Sequence, residues 1–263
     1  MGMLDSIKWF LLDMDGTLYL DDTLIDGAKE FLKKLDETDR QYIFLTNNSS
    51  KNKKAYRHKL SSMGIDVSEE RIFTSGEATT IYLKGIKQNA NVYLLGNGFL
   101  EEEFREEGFT LTNGTDLTPD FVVLGFDTTL TYEKIHKACD HLREGIPFIA
   151  THPDLNCPLK DGKYMPDTGS MIKMFEAATN VSPTIIGKPN RRLIDTIVKK
   201  YAIDRHTLCM VGDRLYTDIR LAINGNIESI LVLSGETKAQ DLKDAPIRPS
   251  RHYRSVKEII KDL

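Results

Sequence analysis

Two aspartates one residue apart, Asp13 and Asp15, close the hydrophobic run in "WFLLDMDGTLYL" and are followed at once by Gly16. Like charges at the end of a segment otherwise suited to a core repel each other in a poorly solvated crevice unless something neutralises them. A divalent cation does this, and "GDRLYTD" at 212–218 supplies two further carboxylates, Asp213 and Asp218. An all-oxygen donor set of this kind favours Mg²⁺. Donors for a phosphate are present as well: Lys188 in "GKPN", the Thr46 hydroxyl in "TNNSS", and backbone N–H groups around Asn47 and Gly16. Carboxylates, a metal and phosphate donors together describe phosphoryl transfer.

These groups act together only if the chain brings them to one place. Short apolar runs alternate with amphipathic stretches: a strand over 9–12, a helix over 27–35, a strand over 42–46 and a helix over 52–63. The same grammar returns with "PTIIGK" at 183–188, a helix with Leu193, Ile197 and Val198 on one face, "TLCMVGD" at 207–213 and "SILVLSG" at 229–235. This pattern predicts a parallel α/β sheet whose strands are covered on both faces. Ligands of such sheets bind beyond the carboxyl ends of the strands. The four polar clusters all stand where this reading ends a strand, and so converge on one edge. A block with its own strands at 91–96, 120–126 and 147–151 lies between the halves. The expected organisation is a discontinuous core of 1–79 and 183–263 with an inserted unit over 80–182.

Composition narrows the classes. The chain has 263 residues, 40% hydrophobic and 28% charged, which suits a globular protein with a substantial core. A net charge of −4 and the lack of a Lys/Arg stripe interleaved with aromatics argue against a nucleic-acid partner. No apolar stretch approaches the roughly 20 residues of a membrane span, and "MGMLDSIKW" lacks a cleavable signal pattern, so a cytoplasmic location is expected. Cys139, Cys157 and Cys209 are odd in number and widely spaced, which points to reduced thiols rather than disulfides or a zinc site. The acidic run "EEEFREE" reads as a solvated helix face.

"DMDGT", "TNNSS", "GKP" and "GDRLYTD" occur in the order of the four motifs of the haloacid dehalogenase-like (HAD) phosphatases, and the sequence resembles most the branch containing NagD and the 4-nitrophenyl, phosphoglycolate and pyridoxal phosphate phosphatases. The resemblance spans essentially the whole chain, including "SGE" at 75–77, "ATHPD" at 150–154 and "DTGS" at 167–170. It implies a Rossmann-like parallel-sheet core with a mobile C2-type α/β cap between the second and third motifs. It also implies an Mg²⁺-dependent phosphomonoesterase that hydrolyses small phosphorylated metabolites through an aspartyl phosphate.

By this resemblance Asp13 is the nucleophile, and Asp15 the general acid and base whose carbonyl also binds the metal. Thr46 and Asn47 hold the phosphate, and Lys188 orients nucleophile and phosphate. Asp213 binds Mg²⁺ directly, and Asp218 supports it directly or through its waters. A carboxylate at Asp15 separates phosphatases from the dehalogenases of the superfamily, which lack one. Asn48 and the "THPDLNCP" residues His152, Asp154, Asn156 and Cys157 match substrate-facing positions, with His152 too isolated to be a metal ligand. The cap further suggests a homodimer surface. Two alternatives stay open: a phosphotransferase or mutase of the same superfamily, and a phospho-accepting receiver-like module, which leaves the inserted block unexplained.

Overall fold

Phe10, Leu11 and Leu12 are each fully buried, so the strand Trp9–Leu12 needs a neighbour on both edges and cover on both faces. In the computed structural model, which describes residues 4–159 and 163–263, it is central to a six-stranded sheet. The order is Arg251–Tyr253, Glu228–Val232, Leu208–Gly212, Trp9–Leu12, Gln41–Thr46, Ile72–Thr74. Leu12 lies opposite Val211 on one side and Phe44 on the other, in parallel register. The chain therefore builds outward in one direction from Trp9–Leu12 and later returns to build outward in the other. The strand where that direction changes opens a crevice at its carboxyl end, and Asp13 is the next residue.

Helix Ala28–Glu37 places Ala28, Phe31, Leu32 and Leu35 on one buried face, the i, i+3, i+4, i+7 spacing of an amphipathic helix. They join Phe10, Leu12, Phe44, Tyr56 and Val256 in the principal apolar core, where each large side chain contributes roughly 1.5–3 kcal/mol by leaving water. Helix Arg191–Tyr201 is capped by the Asn190 side chain and buries Leu193, Ile194 and Ile197.

The chain forms two units: 1–46, 53–73 and 188–263 make one, 47–52 and 74–187 the other. The second has a five-stranded parallel sheet in the order Thr184–Ile185, Phe148–Ala150, Phe121–Leu124, Asn91–Leu95, Thr110–Leu111. Both borders differ from the expected 80 and 182. Helix Ser75–Ile86 falls in the second unit because Gly76, lacking a Cβ, backs onto Leu100 and Glu103 of helix Gly98–Glu106. The strand expected over 183–188 as part of the core is instead Thr184–Ile185, paired with Ile149 and Ala150. Three of the four motifs thus follow core strands, and the fourth enters the core only at Lys188. Among the described residues no helix is long and apolar enough to cross a membrane.

Candidate active site

Asp13 leaves the central strand with its N–H donated to the Val211 carbonyl at 2.9 Å, so the backbone fixes where its carboxylate starts. Lys188, 3% exposed, donates to Asp13 Oδ1 at 2.5 Å and to Asp218 Oδ1 at 2.7 Å. Asp218 stands on the π-helical turn Leu215–Ile219, and its Oδ2 accepts from the Arg214 N–H at 3.1 Å. Asp213 follows the strand Leu208–Gly212, and its Oδ2 accepts from the Glu236 N–H at 2.6 Å. Its other oxygen, Oδ1, is buried with no hydrogen-bond partner among the described residues.

An orphaned carboxylate oxygen is expensive to bury unless a ligand completes it. Asp13, Asp213 and Asp218 each offer an oxygen within 4.8 Å of the others. Gly16, with φ of +85°, adopts a left-handed conformation that side chains disfavour, and a Cβ there would sit 2.5 Å from Asp213 Oδ2. Three hard oxygen donors, one of them unsatisfied, fit a divalent cation.

The electrostatics agree. Burial pushes the Asp13 carboxyl up from 3.8 to about 7; Lys188 pulls it down and the Asp218 charge pushes it further up. Burial, then the Asp13 and Asp218 charges, hold Asp213 well above the carboxylate range. For Lys188 burial favours the neutral amine, but Asp13 and Asp218 outweigh it and keep the ammonium charged. Burial likewise opposes the Arg214 charge, and Asp13 and Asp213 more than restore it.

Asp15 is exposed and bridges to Tyr19. The Gly16 N–H, expected among the phosphate donors, is used within this turn: it donates to the Tyr19 carbonyl at 2.8 Å. Thr46 is buried at the end of Gln41–Thr46.

The remaining candidates belong to the second unit. Asn47 Nδ2 donates to Asp154 Oδ2 at 3.2 Å, and its carbonyl accepts from Ser75 Oγ. Asn48 Oδ1 closes a turn by accepting from the Ser50 N–H and hydroxyl at 2.9 and 2.7 Å. His152 is fully buried, with Nδ1 2.8 Å from Thr151 Oγ1 and Nε2 2.9 Å from Asp167 Oδ1. Asp167 also caps helix Thr168–Thr179. His152 is not isolated: a ligating atom of it lies within 4.8 Å of one from Asp154 and one from Asp167. Asn156 and Cys157 lie on the hairpin strand Asn156–Pro158, exposed and half-buried.

Two residues went unassigned in the sequence. Arg214 stood inside "GDRLYTD", where a cation between two acidic positions was the available signal. Glu236 reaches Asp213 through its backbone N–H, which residue type does not announce.

The chain matches two family models, Haloacid dehalogenase-like hydrolase over residues 10–110 and HAD-hydrolase-like over 185–259. It is 34% identical to the acid sugar phosphatase of Staphylococcus haemolyticus, covering 98% of this chain and 97% of that protein. Among solved structures, the 4-nitrophenylphosphatase of Thermotoga maritima is 45% identical with a TM-score of 0.94, covering 98% of each chain. NagD of E. coli K-12 is 32% identical with a TM-score of 0.88, covering 96% of this chain and 98% of that one. With its four motifs in order and similarity running the length of the fold, this chain belongs to the haloacid dehalogenase-like hydrolases, in the branch of NagD and the 4-nitrophenylphosphatases.

Proposed function

We propose that Asp13 is the nucleophile of this phosphoric monoester hydrolase, forming an aspartyl phosphate that water then resolves. The observation that carries this reading is the buried Lys188, bonded to both Asp13 and Asp218 at the carboxyl end of the central strand. A lysine held there orients the attacking carboxylate and offers positive charge to the incoming phosphate.

In the first half-reaction an Asp13 oxygen bonds to phosphorus, the bond to the leaving oxygen breaks, and Asp15 gives that oxygen its proton. In the second, Asp15 takes a proton from water as the water oxygen attacks the same phosphorus, releasing phosphate and restoring Asp13. Asp15 is exposed, which suits a group that exchanges protons with substrate and water. Thr46 and the backbone beside Asn47 hold the phosphate oxygens. Asp13, Asp213, Asp218 and the Asp15 carbonyl would hold Mg²⁺, which when bound offsets charge on the transferring phosphoryl group.

The substrate class is small phosphorylated metabolites, with sugar phosphates first because a curated relative is an acid sugar phosphatase. Asn48, Asn156 and Cys157 are assigned to the part of the substrate beyond the phosphate. The buried His152 and Asp154 are assigned to holding their loop. The test is incubation with 4-nitrophenyl phosphate and Mg²⁺. Sustained release of many equivalents of phosphate supports hydrolysis; a single stoichiometric labelling of Asp13 sinks it.

A further inference from the structure

Asp213 and Asp218 do not hold their own orientation. Asp218 Oδ2 is fixed by the backbone N–H of Arg214, and Asp213 Oδ2 by the backbone N–H of Glu236. These two anchoring residues are joined to each other, since Arg214 Nε lies 3.1 Å from Glu236 Oε2. The Tyr216 hydroxyl donates to that same oxygen at 3.1 Å. The segment carrying Glu236 is tied down on either side as well. Ser234 Oγ donates to the Gly16 carbonyl at 2.8 Å, and the Thr237 N–H to the Asp213 carbonyl at 3.2 Å. The outcome is that one oxygen of Asp213 is occupied by an N–H and the other, Oδ1, is left buried and unsatisfied beside Asp13 and Asp218.

We propose that the Arg214–Glu236 ion pair is the positioning device of the metal site: by joining the two backbone donors that fix Asp213 and Asp218, it aims both carboxylates at the divalent cation and sets its affinity. This rests on the proposed reading of Asp13, Asp213 and Asp218 as the cation site. Neither Arg214 nor Glu236 is a ligand. Their effect passes through two N–H groups, and outer partners of this kind change metal affinity by about 10–100-fold when removed. The Glu236 side chain is 45% exposed, so the low end of that range applies.

The sign of the effect separates positioning from simple charge. Arg214 is a cation close to the site, so on charge alone its removal would make Mg²⁺ bind more tightly, whereas loss of the Glu236 anion would make it bind less tightly. Positioning requires both single changes to weaken binding. It also requires the double change to be no worse than either, because each single change already breaks the same pair.

The experiment is calorimetric titration of Mg²⁺ into the chelator-stripped, substrate-free full chain, for wild type, Arg214→Gln, Glu236→Gln and the double variant. The expected result is a Kd raised about tenfold in each single variant and about tenfold, not a hundredfold, in the double. Tighter binding by Arg214→Gln, a Kd within twofold of wild type for Glu236→Gln, or additive losses in the double overturns the proposal. Should Arg214→Gln fail to fold, as read by Trp9 fluorescence, Glu236→Gln titrated at low salt and at about 1 M KCl decides: with its side chain 45% exposed, salt screens a charge effect, so a loss relative to wild type that persists supports positioning and one that vanishes overturns it. Wild type that binds no Mg²⁺ removes the cation site itself, while equal binding by wild type and variants removes only the ion pair's role in it.

Discussion

Removing the charge of Asp13 should change how the metal-free protein's stability depends on pH. The folded protein raises this carboxyl from 3.8 to about 7, chiefly by burial. The native state therefore holds the proton more tightly than the unfolded chain. Its contribution is complete below about pH 4, is lost as the pH rises towards 7, and is constant above that. The interval corresponds to about 4 kcal/mol at 1.36 kcal/mol per pH unit, and the Asp13 side chain is only 13% exposed, so solvent screens little of it. Asp13→Asn has no proton to lose and should lack this component. Urea unfolding in chelator, read by the single Trp9 in the strand preceding Asp13, gives the comparison at pH 4.5 and pH 8. Between those values the stability of Asp13→Asn should improve relative to wild type by about 2–4 kcal/mol, the lower figure allowing for shared titration with Asp213. Mg²⁺ should restore wild type at pH 8 by binding the folded state alone. Parallel stability curves for the two proteins would refute the reasoning.

Asp13→Asn should abolish turnover of 4-nitrophenyl phosphate with the fold intact, and Asp15→Asn should retain the nucleophile but lose at least about a hundredfold in kcat; steady-state kinetics check both, and wild-type rates in either exclude the assigned roles. Lys188→Ala leaves the carboxylates of Asp13 and Asp218 without their shared cation and should destabilise the chelated protein by about 3–5 kcal/mol. That loss should shrink when Mg²⁺ is added, measured by the same urea curves. Mg²⁺ should support turnover and Ca²⁺ inhibit it, because Ca²⁺ takes longer bonds and tolerates both oxygens of one carboxylate. Full activity after exhaustive chelation, or equal support by both ions, would exclude a catalytic magnesium.

Much of the site could be read in the sequence because its parts stand at strand ends. Asp13, Thr46 and Asp213 each follow an apolar run, and such runs need little context to be recognised. Lys188 is expected at the end of a core strand, and the structure instead places it where the chain enters the core from a strand of the other sheet. A short apolar run has no periodicity that tells which sheet it joins, and Thr184–Ile185 pairs with Phe148–Ala150. The edge strands Ile72–Thr74 and Arg251–Tyr253 were not foreseen, since three residues carry too weak a pattern. Asp167 illustrates a different limit. Its place in "DTGS" suggested a family signature, and the fold uses it to cap a helix and to face His152. What a backbone N–H does, as at Arg214 and Glu236, depends on a turn that side-chain identity does not encode.

The neighbours of Trp9–Leu12 have a consequence for the birth of the protein. One of its edges pairs with Gln41–Thr46, which leaves the ribosome soon afterwards, and the other with Leu208–Gly212, about two hundred residues later. Closing so long a loop is slow, and a half-paired apolar strand is exposed to aggregation while it waits. The five-stranded sheet, by contrast, is drawn from one continuous stretch between Asn91 and Ile185. It can be completed while the first sheet is still open. Asp13 is synthesised 175 residues before Lys188 and earlier still relative to Asp213 and Asp218, so the nascent chain carries the proposed nucleophile long before it carries the groups that would arm it.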